Sequence, residues 1–175
     1  MMGAMNPPAA AAASLVLLLA AGCAAVPARQ EARNMPVPGD MVAAVRAQAV
    51  ADDTELAVQP LRDPRVEDLR IEAARLEESG DIAAAARALD EAMAIVDNDP
   101  ALMQERAEVA LLQGDFALAG SLAERAWVLG AQVGPLCRRH WATLEQLRLG
   151  EGDHGGAALA REQIAACRVT GPVRY

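Results

Sequence analysis

The chain has 175 residues, 53% hydrophobic and only 2% aromatic; its 16 basic residues are all arginine and stand against 24 acids, a formal net charge of −8. That acidic balance disfavours nucleic acid and anionic lipid surfaces as general partners. An Ala- and Leu-rich composition with no strand-like alternation of β-branched residues predicts an all-α chain. The charge is uneven, since residues 1–135 hold 20 acids and 10 arginines whereas residues 136–175 hold four acids and six arginines.

The first predicted element is a leader over residues 1–22. No charged residue occurs from Met1 to Gly22, and Ala9 to Ala21 is an apolar run broken only by Ser14. The run is shorter than the roughly 20 apolar residues of a spanning helix and suits a signal-peptide core. It ends in Leu19-Ala20-Ala21-Gly22-Cys23, which resembles the lipobox of bacterial lipoproteins. The resemblance implies that the Cys23 thiol receives a diacylglyceryl group and that Cys23 becomes the first mature residue. Ala24 in place of Asp implies sorting to the outer membrane, with the protein facing the periplasm. The leader departs from the usual pattern in lacking Arg or Lys before the apolar run. The competing reading is a secretory peptide cleaved at an Ala-x-Ala-like site.

Residues 23–40 read as a flexible tether, with Pro27, Pro36 and Pro38 and no helical stripe. Asp40 is placed to cap a short helix over residues 41–50. Residues 52–62 are irregular, and Leu56, Val58 and Leu61 are expected to cover the N-terminal end of the domain that follows.

From residue 63 to 170 a period governs the chain, before a short tail over 171–175. Gly80-Asp81 and Gly114-Asp115 lie 34 residues apart, each followed by a large apolar residue and then, at the same offset, Ala85 or Ala119. Ala92 and Ala126 recur seven residues later, and a third copy begins at Gly152-Asp153 and includes Ala157. The third copy arrives 38 residues after the second, and the excess falls in a loop over Gly130 to Pro135. Each Gly is suited to a left-handed helix stop, each Asp to an N-cap, and each repeated Ala to close helix approach. Asp63-Pro64 and Asp99-Pro100 have the N-cap and first-position Pro that open a helix.

This segment resembles three tetratricopeptide repeats, a helix-turn-helix family with a period of about 34. Trp141, Leu144 and Ala157 fall on the family's Trp, Leu and small-residue positions. In the first two copies Leu69 and Met103 stand for the Trp, and Glu72 and Arg106 for the Leu. The resemblance implies a short α-solenoid whose first helices line a concave groove for an extended peptide or a partner helix. Carried over position by position, it implies Glu67, Arg70, Glu77, Gln104, Glu108, Arg139 and Gln146 as groove residues.

In that arrangement Cys137 opens the first helix of the third hairpin and Cys167 closes its second, so the two are neighbours. A disulfide between them fits an oxidising periplasm. The competing readings are two buried free thiols, or a metal site with His140 that lacks a fourth ligand. Arg138, Arg139 and His140 form the one local basic patch, read mainly as a solvated helix start beside a core Trp141.

No catalytic constellation is visible. Ser79 and Ser121 have no base beside them, and Gly152 to Gly156 does not follow a strand as a phosphate loop would. The expectation is therefore a non-enzymatic adaptor or scaffold lipoprotein without cofactor or metal, which binds an envelope protein or peptide, is held to the membrane by its lipid, and makes no use of nucleic acid. Tetratricopeptide lipoproteins include pilotin-like assembly factors for type IV pili and proteins that act alongside peptidoglycan synthesis. A self-assembling structural lipoprotein is the alternative, a homodimer through Ile164, Ala165 and Cys167 of the last helix.

Overall fold

One local design, used three times, builds the helical hairpins. The computed structural model describes residues 35–49 and 63–168. The leader, Cys23, the tether up to residue 34, the segment 50–62 and the tail from 169 lie outside the described residues. Among the described residues there are seven helices and no strand: α1 (Pro38–Ala47), α2 (Pro64–Glu78), α3 (Ile82–Ile95), α4 (Pro100–Gln113), α5 (Phe116–Leu129), α6 (Gly134–Gly150) and α7 (His154–Ala166). None is long and apolar enough to cross a membrane.

Inside each hairpin the Gly-Asp pair makes the turn. Gly80, Gly114 and Gly152 take φ values of 84°, 74° and 76°, the left-handed conformation that a side chain resists. The following aspartates accept backbone bonds from Ala84 N–H at 3.0 Å, Leu118 N–H at 3.0 Å and Gly156 N–H at 2.8 Å. Asp63 and Asp99 cap α2 and α4 in the same way, each ahead of a Pro. Each such cap contributes about 1 kcal/mol.

α6 breaks the pattern. It begins at Gly134, inside the expected loop, and Val133 offers no side-chain cap. Instead Gly134 N–H donates to the Cys167 carbonyl at 2.7 Å, so the end of α7 satisfies the start of α6. The Cys137–Cys167 disulfide joins the same two ends, with a Cα–Cα distance of 5.8 Å.

The hairpins α2/α3, α4/α5 and α6/α7 stack in order, with α3 on α4 and α5 on α6. Ala85, Ala119 and Ala157 are buried at equivalent places, as are Ala92 and Ala126. A larger side chain there would force the paired helices apart. α4 packs directly on α6, whereas α5 and α7 share no comparable contact, so the first helices line the inner side of the array. The architecture is a short tetratricopeptide-like α-solenoid.

α1 is the departure from a plain solenoid. It lies on α4 and α6, across the inner face of the array. Met41, Val42 and Val45 enter one core with Ala110, Leu111, Ala142 and Leu147. The helix also starts earlier than the Asp40 cap predicts: Val37 is its N-cap, Pro38 opens it, and Asp40 stands in the first turn. There the carboxylate still faces the positive end of the helix dipole. Met35 ahead of it packs on α6 at Gly150, where a Cβ would come within 1.8 Å of its sulfur. Only a glycine admits that contact.

Candidate functional site: the inner face of the repeats

The inner face is organised around one buried carboxylate. α4 is covered on nearly every side, so its polar residues are drawn inside along with its apolar ones. Glu108 is fully buried and accepts from Arg139 Nε at 2.8 Å, Gln104 Nε2 at 2.9 Å and Arg46 Nε at 2.9 Å. These donors come from α6, α4 and α1, so a single side chain clips three helices together. Charge-assisted bonds of this kind are about twice as strong as neutral ones.

The network continues inward. Gln104 Nε2 also bonds Thr143 Oγ1 at 2.9 Å, and Thr143 donates to the Arg139 carbonyl at 3.0 Å. A carboxylate only accepts, so the Gln104 amide nitrogen faces Glu108 and its oxygen faces His140 Nδ1 at 2.7 Å. His140 Nδ1 therefore carries the proton. Its Nε2 is buried and has no hydrogen-bond partner among the described residues.

Burial, reinforced by the Arg139 charge, pushes the His140 pKa down from 6.5 to about 3. In the unfolded chain the imidazole takes its proton first. Its contribution to stability is thus complete above about pH 6.5 and is lost as pH falls toward 3. Between pH 7 and pH 5 this one group is expected to cost about 2 kcal/mol. Urea unfolding at the two pH values, repeated with His140→Gln, checks it: the variant should lose that increment of the pH dependence.

Outside this buried core runs a groove of roughly 390 Å³, bounded by α1 and open along α2 and α4. Ala73, Ala74, Leu89 and Val109 line it between ion pairs, and Ile71 on its wall is 62% exposed. Arg46 forks onto Glu77 with bonds of 2.7 and 2.9 Å. Arg70 spans from Glu105 to Glu67. The Glu77 carboxylate holds the Arg46 pKa above its ordinary value, and Glu105 does the same for Arg70.

Four of the seven groove residues expected from the family pattern, Glu67, Arg70, Glu77 and Arg139, line this groove. Gln104 and Glu108 are fully buried beneath it, and Gln146 is half-buried outside its lining. Sequence reasoning missed Arg46, because nothing in the chain says where α1 docks. It also missed Glu105, although an Arg70–Glu105 spacing of 35 residues, close to one repeat, was available as a signal.

The expected basic surface patch does not form. Arg138 is 2% exposed and its Nε donates to the Gln48 carbonyl at 2.8 Å, at the C-terminal end of α1. Arg139 and His140 turn into the network described above. The first turns of α6 are covered by α1, and that cover converts a charged sequence run into interior.

Trp141 is half-buried rather than central, packed edge-to-face on Trp127 with ring centroids 5.2 Å apart. Of the last-helix residues expected to be exposed, Ile164 and Cys167 are buried and Ala165 is exposed. The Cys137–Cys167 bond removes both sulfurs from any metal site with His140, and no metal-binding cluster occurs among the described residues.

No family model matches the chain, and no curated protein matches it. Among solved structures, the globular C-terminal domain of P. aeruginosa LpoP is 33% identical, with a TM-score of 0.55. The alignment covers 60% of this chain and 99% of that one. With that identity over almost the whole domain, the chain belongs to the family of the LpoP C-terminal domain.

Proposed function

We propose that this relative of the LpoP C-terminal domain is a membrane-anchored adaptor lipoprotein that faces the periplasm and binds another envelope protein through the inner face of its repeats. The observation that carries this reading is the groove beside α1, with apolar floor residues set between fixed guanidinium–carboxylate pairs. Such a lining suits a peptide or helix, which offers apolar side chains and charges at intervals. Six of the seven titratable groups that line it, all but Glu78, are engaged in ion pairs rather than aligned with a nucleophile, which supports a binding role over an enzymatic one. LpoP's domain is a globular C-terminal one, and the repeats here occupy residues 63–168 of the chain, after the segment read as leader and tether.

The anchor is tested by Cys23→Ala, which should move the protein from the membrane fraction to the soluble fraction; unchanged membrane association would defeat the lipoprotein reading. The adaptor role is tested by crosslinking in the native envelope and identification of what is joined. Crosslinks that involve no other envelope protein would count against it.

A self-associating structural role is the second reading, and the outer face favours it. Val128 and Leu159, 65% and 64% exposed, flank a cleft between α5 and α7 that is lined by both tryptophans. Sedimentation of the lipid-free protein separates the two: a monomer at every concentration removes the structural reading.

A further inference from the structure

α1 differs from the other helices in how it is held. The six helices of the hairpins make their successive contacts without it: each hairpin closes on itself, α3 meets α4, α5 meets α6, and α4 meets α6. α1 is laid across that finished surface. It is joined by Met41, Val42 and Val45, by Arg46 on Glu77 and Glu108, and by the Arg138 bond to Gln48. The surface beneath is already shaped for a helix, with Ala110 and Ala142 leaving room between Leu111 and Leu147.

We propose that α1 is a removable strap, and that the face of α4 and α6 beneath it is the docking site for an amphipathic helix of a protein partner that carries an arginine after its apolar stripe. The proposal rests on the adaptor reading and specifies its partner. α1 shows the required chemistry: apolar residues at positions 41, 42 and 45 followed at once by a guanidinium. The arginine is demanded by Glu108, whose carboxylate is fully buried with α1 docked and is paired there with Arg46 of α1 and Arg139 of α6, so that Arg139 is its remaining cation once α1 leaves. An incoming helix without a positive group would seal that carboxylate against an apolar surface, a costly arrangement. The open groove beside Arg46 supplies a place to begin, because exposed Ile71 and the carboxylate of Glu105 are reachable while α1 is still in place.

The experiment uses the full chain and a fluorescein-labelled peptide with the sequence of residues 38–48, read by anisotropy. Two strap-weakened chains are compared with the parent: M41D/V45D, which removes the apolar grip, and R46Q, which removes the guanidinium that α1 lays on Glu77 and Glu108, leaves Arg139 on Glu108 and adds no like charge beside it; circular dichroism confirms that each chain keeps its helices. Both should bind the peptide at least tenfold more tightly than the parent does. A peptide carrying R46E should bind the M41D/V45D chain at least tenfold more weakly than the unaltered peptide. Equal affinity of parent and variants, no binding by either variant, or indifference to the peptide arginine would overturn the proposal. Exchange of α1 between two copies, visible in sedimentation as doubled mass for the parent that M41D/V45D abolishes, would overturn assignment of the face to a foreign helix. Failure here removes the strap alone, whereas failure of the envelope crosslinking removes the adaptor.

Discussion

Replacement of Cys137 and Cys167 together by alanine is expected to lower the unfolding free energy by about 3–4 kcal/mol, the loop-entropy value for a bridge that closes about 30 residues. The bridged residues are 30 apart in sequence and both are buried, so alanine avoids the extra cost of a buried serine hydroxyl. The effect should be concentrated in the last hairpin. α6 begins without a side-chain cap, and its first amide relies on the Cys167 carbonyl to be in place. With the bridge gone, that bond and the packing of α6 on α7 are what hold the two ends together. Urea unfolding of the parent and the double variant, without reductant, gives the difference directly. A change under 1 kcal/mol would mean that the hairpin ends are held by packing alone.

A comparable loss, about 3 kcal/mol, is expected from Arg139→Leu. Removal of one partner of a buried ion pair leaves the other charge uncompensated, and that penalty exceeds the worth of the pair itself. Glu108 is fully buried and receives two bonds from Arg139, from Nε at 2.8 Å and from a terminal nitrogen at 2.5 Å. After the substitution its remaining cation is Arg46, on the strap, which places the figure at the low end of the range for broken buried pairs. The companion variant Glu108→Gln keeps the shape of the site and most of its hydrogen bonds, and should be milder. Chemical unfolding at pH 7 measures both, and a milder Arg139→Leu than Glu108→Gln would show that the carboxylate is not the centre of the network.

Much of the solenoid was legible because its signals are local. Gly114 and Asp115 state a stop and a start within two residues, and the same pair at 80/81 and 152/153 states the repeat. The small side chains of Ala85, Ala119 and Ala157 state which face is closely approached. What was not legible is long-range. The stripe Met41, Val42 and Val45 announces an amphipathic helix, but a stripe carries no information about which surface it meets. Once α1 lies on α6, Arg138 and His140 become interior, although their composition reads as surface.

One overlooked signal lay in α4. Leu102, Met103, Ala107, Val109, Ala110 and Leu111 are spread around the whole helix between its polar residues, and a helix with apolar residues on every side is central. On that ground Gln104 and Glu108 could have been read as buried structural groups before any coordinates were known.

The contact of Met35 with Gly150 also has a bearing on distance. On the lipoprotein reading, Met35 lies twelve positions beyond the anchored Cys23, so that contact stands at most about 40 Å from the anchor. With α1 undocked, as the strap proposal has it, the next described residue is Asp63, forty positions from the same anchor, and the upper bound on that distance rises to about 130 Å. A helix of ten residues thereby sets how deep into the periplasm its own domain can travel, so capture of a partner and the altitude at which it is held would be decided by the same event.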